Sequence, residues 1–250
     1  MRLLDGLTKR LTPRVTALCG VGSLVCLAGG LAVAYARFPG YSLWTGYISE
    51  LAKHTNPGRW GFVAALATAG PLIALFALGL HGLMENRPGR IAARLLTVTG
   101  LAMPVVASFD LTWPVPHFTA AAALFGSAVL GTVFAGVGFR RMAAAAEPAR
   151  ARTLRLGAGL AFATFGLQVA STVGGFIYTG ILVARMNVVS ANQLLKDLPK
   201  HQKITFESGF AMNPVALLEW IFLLTAAVLI GLMCLYALRQ ARAASPREES

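Results

Sequence analysis

The chain has 250 residues, of which 56% are hydrophobic and 13% charged, with a mean hydropathy of +0.64 and a formal net charge of +12. Soluble domains run at about 45–50% apolar with glycine included and about 25% charged, so a soluble domain is excluded and an integral membrane protein is indicated. The positive charge belongs with loop lysines and arginines, because no soluble domain exists to present a basic face, and no nucleic-acid partner is expected.

In chain order, residues 1–14 put Leu3, Leu4, Leu7 and Leu11 on one helical side and Arg2, Lys9 and Arg10 on others, the pattern of an interfacial helix on an anionic surface. The apolar run 15–38 is longer than the roughly 20 residues that cross a bilayer core. No small-x-small cleavage site precedes a mature chain, so the run reads as a retained first span and not as a signal peptide. An outer loop covers 39–60. Span two follows over 61–84 with Pro71 inside it, then the basic link ENRPGR, then span three over 91–109 with Pro104 inside it and Asp110 at its end. The short link LTWPVPH leads to span four, 118–139. A basic stretch, RRMAAAAEPARARTLR, precedes span five over 156–184, which is too long for an upright helix and is expected to tilt, to bend at Gly174 and Gly175, or to protrude. In the second outer loop, 185–213, Ser190 and Gln193 form a capping-box pattern ahead of Leu194, Leu195 and Leu198, which predicts a short lid helix over the bundle mouth. Span six covers 214–238 and starts on a proline, where a missing N–H costs nothing. Residues 239–250 are a polar tail.

Fifteen of the 22 lysines and arginines fall on the side of the two termini and seven on the other. The positive-inside rule therefore predicts cytoplasmic termini. The expected class is an all-α polytopic membrane protein: one six-span domain over residues 1–250, multi-pass in the cell (inner) membrane, with both termini cytoplasmic and both long loops outside.

The stretch 41–60, YSLWTGYISELAKHTNPGRW, is the first long polar interruption of this apolar chain. Unpaired backbone groups in hydrocarbon cost several kcal/mol each, so such a segment belongs at a membrane face or in a protein-lined cavity. The same face receives Asp110, His117 and Glu219, the last about a turn and a half into span six. Ionisable groups at membrane depth are expensive and mark either a site or a buried pair. Glu50, Asp110, His117 and Glu219, with Trp220, Ser42 and Trp44, form the candidate ligand-binding cluster. Plainer roles exist: Glu50 capping a helix, Asp110 capping or pairing with a base, His117 anchoring the interface beside Trp113. Glu219 resists them most, because span six offers no nearby basic residue.

Other chemistries find little support. No HxxxH or HExxH spacing is present, so neither a metal nor another cofactor is expected. Ser42, Ser49 and Ser108 lie outside any G-x-S-x-G elbow. Cys19, Cys26 and Cys234 sit in apolar runs and read as small buried hydrophobes. Ala123, Ser127 and Gly131, at successive fours on span four, make a groove that admits another helix closely.

The run YISELAKHTNPGRWGFVAALATAGPLIALFALGLH resembles the I-S-D/E signature and following span of the FRAG/DRAM/SFK family of six-span proteins, which includes a GPI-anchor lipid-remodelling factor. VPHFTAAAALF resembles that family's H-x-x-x-A-x-x-x-F start of span four, and LLEWIFLLTAAVL its E-W pair in span six. FDLTWPVPH, in the same order, is similar to the F-P-x-D…H stretch of the bacterial domain-of-unknown-function family nine hundred and ninety-eight. The resemblance implies that family function carries over onto Glu50, Asp110, His117, Glu219 and Trp220. It departs from the pattern at Ala52, where glycine is usual, and in the length of the 185–213 loop. Two functions are expected from these readings. One is a lipid-handling protein, binder or remodelling enzyme, whose outer-leaflet pocket grips a headgroup while acyl chains lie between spans. The other is a non-catalytic subunit or scaffold, with a membrane-protein partner or a second copy docking on faces such as Ala123, Ser127 and Gly131.

Overall fold

The computed structural model describes residues 11–44, 46–109, 113–186 and 214–244. Among them are six long helices: α1 (Pro13–Ala36), α2 (Arg59–Leu83), α3 (Arg87–Ser108), α4 (Pro114–Ala144), α5 (Pro148–Met186) and α6 (Pro214–Ala244). One 3-10 helix, Ile48–Ala52, stands between α1 and α2, and no strand occurs among the described residues. All six long helices have the length and apolarity to cross a membrane. The all-α six-span class follows. The candidate interfacial helix up to Arg10, the candidate lid at Ser190–Leu198, and Asp110 lie outside the described residues.

Local chemistry sets the helix starts. Thr12 caps α1, its Oγ1 accepting from Val15 N at 3.3 Å, and Pro13 supplies the first turn. Asn86 caps α3, its Oδ1 accepting from Gly89 N at 2.9 Å while its Nδ2 donates to Gly138 O of α4 at 2.9 Å. The basic link ENRPGR is therefore largely the start of a helix.

α6 runs to Ala244, six residues into the expected polar tail, and two further boundaries differ from the sequence expectation for one reason. The basic stretch between spans four and five is helical except for residues 145–147: Arg140 and Arg141 end α4, and Arg150, Arg152 and Arg155 begin α5. Alanine has the highest helix propensity, so the alanine run carries α4 past its apolar limit. Span five is likewise longer than its apolar core. The 39 residues of α5 rise about 58 Å and pass through Gly174 and Gly175 without a break in the helix, which leaves tilt or protrusion to accommodate the length.

Each helix packs on its neighbours in the chain, and α6 returns to α1. The result is a ring whose helices meet through small residues. At the α2–α3 crossing a Cβ on Gly100 would stand 2.6 Å from both Ala74 N and Gly70 O, so only glycine allows the approach. At the α3–α4 crossing Thr99 and Ser127 share a hydrogen bond of 2.8 Å, and Gly131 faces Leu95 of α3. The small-residue groove of span four thus receives α3 of the same chain at Ser127 and Gly131. Leu18, Val25, Leu101, Leu130, Leu224 and Leu235 are exposed and stand outside the ring's interior, as side chains facing hydrocarbon do.

Candidate functional site

One end of the ring carries the loop between α1 and α2, the last turn of α3, the first turn of α4 and the first turns of α6. The other end collects arginines, among them Arg14, Arg87, Arg140 and Arg239.

At the loop end the 41–58 segment is folded back onto the helices. Gly40, at φ 74°, turns the chain after Phe38, and Tyr41 then stacks on Phe38 and meets Tyr35 edge-on. The Tyr41 hydroxyl donates to Gly46 O at 3.0 Å and Tyr47 O at 2.9 Å, cinching the loop. Leu51 of the 3-10 helix is fully buried against Ala34 and Phe62. Asn56, 1% exposed, ties the segment down by donating to Leu51 O (2.8 Å) and Ala34 O (3.2 Å) and accepting from Gly58 N (2.8 Å). A buried asparagine that satisfied is a structural clamp.

From the far end of the sequence α6 closes this cap. Glu219 Oε2 accepts from Ile48 N, the start of the 3-10 helix, at 3.3 Å, and Trp220 Nε1 donates to Gly46 O at 3.3 Å. Trp220 also packs in the cluster around Leu51. Adjacent residues of one helix thus latch adjacent turns of one loop.

Burial pushes the Tyr41 phenol well above its ordinary value. Trp220's hydrogen bond opposes the shift, and the carboxylates of Glu50 and Glu219 add to it. Tyr41 therefore keeps its proton, shared between the two carbonyls, through the neutral range. A raised value contributes stability that is fully present below the unfolded value, about 10, and lost as pH rises towards the folded one. Thermal unfolding of the wild type should weaken through that alkaline window more steeply than that of Tyr41→Phe. Equal alkaline slopes for the two proteins would contradict the cinch.

The ring holds a partly open cavity of about 1550 Å³, lined from all six helices. Its loop end carries Ser49, Lys53, Arg59, His117 and Glu219, and its other end Leu80, Met84, Phe139 and Met233. Glu219 and Met233 both face it, about 21 Å apart along α6. At intermediate depth Thr99, Ser127, Gln168 and Ser171 add hydroxyls and one amide.

Of the candidate ligand-binding cluster, His117 and Glu219 share this cavity. His117 Nδ1 lies 2.7 Å from Phe109 O; a carbonyl only accepts, so Nδ1 carries the proton. Glu50 is ion-paired with Lys53 one turn along the 3-10 helix, next to the cavity wall. Trp220 stands in the latch. Ser42 Oγ accepts from Trp44 N at 3.2 Å in a local turn, and Trp44 is exposed, both away from the cavity lining. Sequence reasoning passed over Tyr41, Lys53, Arg59 and Gln168. Gln168 had a signal, as the lone amide in an otherwise apolar span.

Comparison with curated proteins returned no match, nor did comparison with solved structures. A family model described as "Protein of unknown function (DUF998)" matches residues 20–191, which takes in most of α1, the latched loop, His117 and all of α5, and stops before Glu219 and Trp220. The match covers more than half of the chain, and the chain belongs to the DUF998 family.

Proposed function

We propose that the protein binds a membrane lipid inside its helical ring, with the headgroup at the loop end and the acyl chains between the helices. The observation that carries this reading is the polarity gradient of the cavity. Charged and hydroxyl groups crowd one end, and leucine, methionine and phenylalanine line the other. Its 1550 Å³ exceeds the 300–1,000 Å³ usual for small-ligand pockets. A water-soluble ligand would leave the deep apolar half unsatisfied, and a plain hydrocarbon would leave the ionic end so; an amphiphile matches both. Lys53 and Arg59 suit a phosphate, while Glu219 suits a hydroxyl or ammonium donor on the same headgroup. The likeness of YISELAKHTNPGRW to the FRAG/DRAM/SFK signature supports a lipid ligand as well. The scaffold reading has less to stand on, since Ser127 and Gly131 already pack on α3.

In this reading the protein sits in the cell membrane with its termini cytoplasmic and the latched loop outside, the arrangement that the arginine-rich end favours. A cysteine placed at the exposed Thr55 should label from outside intact cells. Labelling only after permeabilisation would reverse the orientation.

Native mass spectrometry after exchange into fresh detergent tests the binding itself. The 26.4 kDa chain should carry at least one lipid mass. A bare chain, or a lipid-free chain with a stoichiometric protein partner, would sink the lipid reading.

A further inference from the structure

The arginine-rich end contains a second cleft, of about 350 Å³, between α5 and α6. Phe139 is the one residue shared with the lining of the central cavity. We propose that this cleft is a separate binding site for the phosphate of an anionic phospholipid headgroup.

Two guanidinium groups from two helices meet here, Arg150 of α5 and Arg239 of α6. Arg150 is held in place: Nη2 pairs with Glu85 and donates to the Tyr236 hydroxyl at 3.4 Å, which in turn donates to Leu83 O at 3.2 Å. Its Cζ also stands 5.8 Å from the centre of the Tyr236 ring. Arg239 is different. Its Nη1 donates to the neutral Thr153 hydroxyl at 2.8 Å, and among the described residues no carboxylate lies within ion-pair distance of it. Among the described residues two cations thus meet one carboxylate, and a single phosphate negative charge completes that balance. Each guanidinium has five donors in a fixed fork that fits phosphate oxygens, so both retain N–H groups beyond the bonds given.

The rest of the cleft separates a phosphate carried on a lipid from one in solution. Beneath the arginines lie Leu154, Leu232 and Phe139, an apolar bed running towards the bilayer core. Gln240 adds a polar group at the rim. Basic pockets between helices at one membrane face suit anionic headgroups, and the neighbouring Arg140, Arg141 and Arg155 raise the local concentration of such lipids. Apart from the shared Phe139, this site rests on none of the observations that support a lipid in the central cavity.

The test uses the full chain in nanodiscs of phosphatidylcholine with and without phosphatidylglycerol. Native mass spectrometry should show phosphatidylglycerol retained in preference to phosphatidylcholine, and Arg239→Gln should reduce that preference at least about tenfold. Arg239 is exposed, so an unchanged melting temperature in pure phosphatidylcholine is expected to show that the variant folds. Arg239→Lys should keep part of the preference, as a point charge in place of a fork. A matched arm adds inorganic phosphate to detergent-solubilised protein. No Arg239-dependent stabilisation there supports a lipid; stabilisation equal to that by phosphatidylglycerol would overturn the lipid assignment in favour of a soluble anion. Retention of phosphatidylglycerol unaffected by Arg239→Gln would overturn the site.

Discussion

Replacing Glu219 with leucine is expected to lower stability by about 1–3 kcal/mol and to abolish retention of the lipid. The stability loss arises because Ile48 N–H, which donates to Glu219 Oε2, loses its acceptor at the interface between the loop and α6. Glu219→Gln separates the latch from the charge. A glutamine oxygen still accepts from Ile48 N, so stability should stay within about 1 kcal/mol of wild type. The acidic group facing the cavity is gone, however, and lipid retention should fall about tenfold, equivalent to about 1.4 kcal/mol. Melting curves and native mass spectra of the two variants give both readouts. Wild-type retention in Glu219→Gln would reduce Glu219 to a latch and remove it from headgroup binding.

Ala226→Phe should block the cavity at mid-depth. Ala226 lines it on α6 between Glu219 and Met233, where the ring has no central helix to fill the space. Adding bulk to a packed core strains it by about 1–3 kcal/mol, whereas adding bulk to an empty space adds apolar contact. The variant should therefore fold with unchanged or higher stability and lose the bound lipid by more than about tenfold. Ala227, adjacent but outside the lining, is the control: Ala227→Phe should retain lipid. Loss of stability at Ala226→Phe together with normal lipid retention would mean that the interior is not where the lipid lies.

The six spans were legible because hydropathy reports a property each helix carries alone. Their ends were less so, since helix propensity outlasts apolarity: the alanines beyond Phe139 and the arginines ahead of Leu156 continue α4 and α5 past the apolar limit of the sequence. Ring closure was not legible, because which helix touches which depends on crossings such as Gly20 of α1 on Cys234 of α6, which hydropathy does not encode. In the site, His117 and Glu219 stood out as ionisable groups in apolar surroundings, and both line the cavity. Ser42 and Trp44 were singled out for composition alone, and they serve a local turn. The latch escaped notice for the reason that ring closure did. It joins Gly46 and Ile48 to residues more than 170 positions away, and neither end announces the other.

The most direct test of the central claim is a density map of the protein in lipid nanodiscs, resolved well enough to distinguish an acyl chain from ordered water. An elongated density inside the ring is expected, its broad end between Lys53, His117 and Glu219 and its thin end reaching towards Phe139 and Met233. A ring interior holding only discrete water-sized peaks, with lipid density confined to its outer faces, would contradict the account.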